Sequence, residues 1–68
     1  MRGNTLELQI NNQKKKKIRF LGDVSALLLK LKMRREEVVV KVNGKIVPDD
    51  FKIGNNDKVE VIQVVFGG

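Results

Sequence analysis

The residues available for covalent chemistry in this chain are few, and two of the usual types are missing. Its 68 residues include no Cys and no His. That removes thiol nucleophiles, imidazole general bases and the common zinc and iron–sulfur ligands. Thr5 and Ser25 are lone hydroxyls with no base to activate them, so a hydrolase has nothing to work with. Asp49, Asp50 and Asp57 lack the fixed loop spacing of a cation site and read as turn and cap residues. No metal and no bound cofactor is expected. What remains is the final stretch Val64-Val65-Phe66-Gly67-Gly68. Glycine loses the most conformational entropy on ordering and adds no side chain to a core. Two glycines behind an apolar strand therefore either fray or are presented to something.

The second chemical feature is charge. Lys and Arg number 14 against 8 Asp and Glu, a formal net charge of +6. Five of those cations lie in Lys14-Lys15-Lys16-Lys17-Ile18-Arg19. Such a balance permits an acidic partner, whether nucleic acid, an anionic membrane surface or a protein. With no Tyr or Trp among these residues there is no stacking platform for bases. We read the run as a solvated strand. The alternative is a small basic RNA- or DNA-binding domain using Lys14 to Arg19, with incidental glycines.

These features need elements to hold them. Thr5 to Ile10 alternates, with Leu6, Leu8 and Ile10 on one face, and reads as a half-buried strand. Asn11-Asn12-Gln13 turns the chain. Lys16 to Phe20 then forms a second strand with Ile18 and Phe20 inward. Gly22-Asp23 opens a helix in which Asp23 caps the first turn. Val24, Leu27, Leu28 and Leu31 form its apolar stripe, and the expected end is near Met33, after about three turns. Arg34-Arg35-Glu36-Glu37 connects to a β-branched strand, Val38 to Val42. Asn43-Gly44 is a two-residue hairpin signal, so Ile46-Val47 returns as a strand cut short by Pro48. Phe51 and Ile53 are expected to plug the side of the core. Gly54-Asn55-Asn56-Asp57 turns into a last strand, Val59 to Val65.

One helix covering one sheet face makes this an α+β domain. The apolar first and last strands belong side by side at the centre. The Lys-rich second strand and the Pro-terminated fourth then form the edges, protected against edge-to-edge pairing. A chain this short buries only about 60% of its unfolded surface, leaving little room for a catalytic cleft. We expect one domain over residues 1–66 with a flexible tail at 67–68. The opening MRGNTLELQINN has no signal-peptide core and no segment could span a bilayer. The expectation is a soluble, cytoplasmic monomer without membrane attachment.

That order, ββαβββ, together with Gly67-Gly68, resembles the ubiquitin-like β-grasp family. More narrowly it resembles the small prokaryotic sulfur carriers and modifiers of the ThiS, MoaD and archaeal small-modifier type. The resemblance is carried by DVSALLLKLKM, VVVKVNGKIVP and DKVEVIQVVFGG, in that order. Two departures are visible: Lys32-Met33 stands where relatives often have Gly, and Asn55-Asn56-Asp57 where they often have Asp-Gly-Asp. The resemblance implies a mixed sheet of four to five strands packed on one helix.

It also implies a role. A partner enzyme of the E1-like class would use ATP to adenylate the Gly68 carboxylate. Sulfur would then replace AMP to give a thiocarboxylate, or a lysine amine would attack to give an isopeptide bond. Gly67 and Gly68, lacking Cβ atoms, could enter a narrow channel. The chain would be a carrier rather than an enzyme, meeting sulfur donor and acceptor enzymes or target-protein lysines, and nucleic acid would be no partner. Alternation along the last strand places Ile62 and Val64, with Phe66 beyond, on the open sheet face beside Val39 and Lys41. An exposed apolar stripe of that kind marks the expected docking surface.

Overall fold

The computed structural model describes residues 4–64. Seven short strands and one helix follow in order: β1 (Thr5–Ile10), β2 (Lys16–Arg19), β3 (Gly22–Asp23), α1 (Val24–Leu31), β4 (Val38–Val42), β5 (Lys45–Ile46), β6 (Lys52–Ile53) and β7 (Lys58–Gln63). A single 3-10 turn, Arg35–Glu37, joins α1 to β4. Five strands form a mixed sheet in the order β2-β1-β7-β4-β5. β1 and β7 are parallel at its centre, with Leu8 opposite Val59, and the remaining pairs are antiparallel. The lysine-rich β2 and the short β5 are the edges, as the composition of the strands requires.

The core lies between one sheet face and α1. Leu6 and Leu8, Val40 and Val42, and Val59 and Val61 point inward from three adjacent strands to meet Val24, Leu27 and Leu28, with Ile53 alongside. Burying a side chain of this kind contributes roughly 1.5–3 kcal/mol each, so the period-2 and period-3.6 patterns together select this face. Ile10, Ile18, Phe20, Leu31 and Val38 pack around the rim.

Asp23 caps α1, its Oδ1 accepting the Ala26 amide at 2.9 Å. The two preceding amides are satisfied from outside the helix: Val24 N–H donates to the Phe51 carbonyl and Ser25 N–H to that of Asp49. The helix is shorter than its sequence pattern suggests, ending at Leu31 after eight residues rather than near Met33. The reason is Lys32, which takes the left-handed conformation (φ 59°). Lys32 N–H then donates to Leu29 O and Met33 N–H to Leu28 O, the paired bonds of a Schellman stop. Glycine is usual there, and its absence hid the boundary.

Three smaller differences have local causes. The return strand is Lys45–Ile46 rather than Ile46-Val47, because a two-residue Asn43-Gly44 turn (φ 53° and 86°) pairs Val42 directly with Lys45. Val47 still donates to Val40 O at 3.1 Å. The segment expected as a loop contains β6, which pairs with β3 and ties the helix entrance to the 49–53 segment. Of its two expected plugs only Ile53 is buried; Phe51 is 36% exposed, its carbonyl rather than its ring serving the helix.

Candidate functional site

The open face of the sheet, opposite α1, follows from the register. Antiparallel and parallel partners share a face, so side chains can be read in rows across strands about 4.8 Å apart. Val39 lies opposite Ile62; Glu60 lies opposite both Gln9 and Lys41, and Lys41 in turn lies opposite Ile46. At the other end, Glu7 sits between Lys17 and Lys58, and Thr5 sits beside Arg19. The face is therefore divided along its length. Apolar residues gather at the end where β7 leaves the sheet, and cations gather at the opposite end.

The apolar end holds four of the five expected docking residues. Val39, Lys41, Ile62 and Val64 are all partly exposed. Val64 N–H donates to Glu37 O at 2.7 Å, holding the exit of β7 against the start of β4. Phe66, Gly67 and Gly68 lie outside the described residues, as does Val65. The opposite flank of this exit is clamped by Asn11, whose Oδ1 accepts the Gln63 amide at 2.8 Å and whose Nδ2 donates to Gln63 Oε1 at 3.1 Å. The last described residues of β7 thus leave from a position fixed on both sides.

Ile46 belongs to this surface and was not among the expected residues. It is 70% exposed and stands in register with Lys41. Val39, Ile46, Val47 and Pro48, with Val24 and Leu28 of α1, line a depression of about 280 Å³ between the β4–β5 edge and the helix. The signal was present: a two-residue turn fixes the register, and parity then puts Ile46 outward. Arg35 and Asp49 close one side of the depression through a 2.7 Å ion pair. Asp57 accepts the Gly54 amide at 2.7 Å and the Asn43 side-chain amide at 3.0 Å. Those carboxylates do structural work, and among the described residues no group of three potential ligands is placed to hold a metal ion.

Set against this geometry, a comparison with protein families is decisive. A family model described as the ThiS family matches residues 6–68, which includes every strand of the sheet except the first residue of β1, and α1. The chain belongs to the ThiS family. It is thereby a ubiquitin-like sulfur carrier in general terms, on an α+β β-grasp fold. Membership of the ThiS family implies dealings with E1-like and sulfur-transfer enzymes. None of the described helices is long and apolar enough to cross a membrane.

Proposed function

We propose that this ThiS-family protein carries sulfur, or is conjugated to lysines, through the carboxylate of Gly68. A carboxylate is a poor electrophile, so an E1-like enzyme must first convert its oxygen into a leaving group. The Gly68 carboxylate oxygen attacks the α-phosphorus of ATP and pyrophosphate departs, leaving an acyl adenylate. A sulfide equivalent then displaces AMP to give the thiocarboxylate, or a lysine amine displaces it to give the isopeptide. The protein supplies the acyl group and a docking surface, and ATP is consumed at the partner.

One observation carries this reading: the family match runs through Gly67 and Gly68. The open face supports it. Ile46, Val39, Ile62 and Val64 form an exposed apolar patch where β7 leaves the sheet, with Lys41 beside it. An enzyme gripping that patch would draw the following residues toward its nucleotide.

Mass spectrometry of the protein from its native cells tests the proposal. The expected result is Gly68 as the final residue with one carboxyl oxygen replaced by sulfur. Glycine-terminated remnants on lysines of other proteins would identify conjugation. An unmodified Gly68 with no remnants, even after the E1-like enzyme and ATP are supplied, would overturn it, as would a native chain continuing past Gly68.

A further inference from the structure

The cationic end of the open face is not used by the carrier chemistry, and it has its own geometry. Lys17 and Lys58 flank Glu7 in one row across three strands, and Arg19 stands in the next row beside Thr5. Glu7 also has the Lys15 ammonium 3.7 Å from its Oε2. One carboxylate thus faces three lysines. Asp57, the residue before Lys58, accepts the Gly54 and Asn43 amides. Lys17, Arg19 and Lys58 have no ion-pair partner among the described residues. Between Lys17 and Lys58 opens a polar concavity of about 670 Å³, also lined by Thr5, Glu7, Asn55 and Asn56.

β2 is an edge strand with no described strand on its outer side, and the concavity lies on its inner side, over β1. An edge carries a row of backbone donors and acceptors able to accept another strand. Its lysines repel a second copy of this chain and attract an extended chain of opposite charge. A nucleic acid would match the charge but not the alternating amide and carbonyl row. The four residues of β2 also include no aromatic side chain on which a base could stack.

We infer that β2 and the cations beside it form a second docking surface, for an extended acidic segment of a partner protein that adds as a strand along Lys16–Arg19. Its carboxylates would meet Lys17 and Arg19, which share the open face of β2; Lys58 lies two strands further into the sheet. Lys17 shares a row with Lys58 and Ile62 lies four residues further along β7, so this surface sits roughly 13 Å along the strand direction from the apolar row of Ile62 and Val39. Both ends can be occupied at once. The inference does not depend on the chemistry of Gly68.

The test is a titration of the isotope-labelled full chain with a synthetic peptide of alternating Glu and Val at low salt, read by amide NMR shifts. Shifts are expected along β2, with α1 unmoved. Changing Lys17 and Arg19 together to Gln should weaken binding at least about tenfold, while Lys30→Gln and Lys32→Gln on the far side leave it unchanged. A backbone N-methylated peptide of the same charge should lose binding to a similar extent, because it cannot complete the ladder. Equal binding by the methylated peptide, or shifts absent from β2, would overturn strand addition. Tighter binding of a mixed-sequence RNA than of the peptide would overturn the choice of partner, and no peptide binding at all would overturn the surface.

Discussion

Asn and Lys occupy the backbone positions where this fold bends most sharply. Asn11, Lys32, Asn43 and Asn56 all have positive φ. Asn tolerates that conformation; a lysine does so at a cost of roughly 1–2 kcal/mol. Lys32→Gly is therefore expected to stabilise the protein by about 1 kcal/mol, raising the melting temperature by about 5 °C. Calorimetry checks this, and an unchanged temperature would mean the helix stop is unstrained. Asn43 does more than turn the hairpin. Its Oδ1 accepts the Lys58 amide and its Nδ2 donates to Asp57, each at 3.0 Å, joining the β4–β5 turn to the start of β7. Asn43→Gly keeps the conformational freedom and removes only the bonds. Urea unfolding should show a loss of about 1–2 kcal/mol.

Among the elements, α1 is the one the fold can least spare. It is eight residues long, too short to be stable alone, and depends on its buried stripe and on amides satisfied by Asp23, Asp49 and Phe51. Leu27 is fully buried while Leu29, two positions on, is 77% exposed. Leu27→Ala should cost about 3 kcal/mol, a large part of the total stability of a domain this small. Leu29→Ala should stay within about 0.5 kcal/mol of the parent. Denaturant midpoints for the pair check the assignment of faces. The β3–β6 ladder explains how two carbonyls of a connecting segment come to satisfy a helix N-terminus. Nothing in the sequence of Phe51, Lys52 and Ile53 announces a strand, because two residues are too few for a period.

At the scale of the whole molecule, the parallel β1–β7 pair sets the polarity of the open face. Both strands run from the cationic end to the apolar end, so the two proposed docking surfaces lie at opposite ends of one sheet. Ile46→Asp is expected to weaken ATP-dependent activation by the E1-like enzyme at least about tenfold, since a charge in a desolvated apolar contact is costly. Its melting temperature should hardly move, because Ile46 contributes nothing to the core. An activation rate equal to that of the parent would place the docking surface elsewhere.

Much of this arrangement follows from local pattern. Alternation in Leu6, Leu8 and Ile10, the helical spacing of Val24, Leu27 and Leu28, and Asn43-Gly44 specify elements through side-chain direction and turn sterics, which depend on near neighbours. The central place of the first and last strands follows because they need apolar cover on both flanks. Val39, Lys41 and Ile62 were legible for the same reason of parity. The tertiary structure alone decided what depends on residues distant in sequence. It ended the helix at Lys32 through backbone bonds to Leu28 and Leu29, and set Phe51 outward while its carbonyl capped α1. It brought Ile46 beside Lys41, and placed Lys58 across Glu7 from Lys17. Periodicity reports which face a residue occupies; only the closed sheet reports who stands next to it.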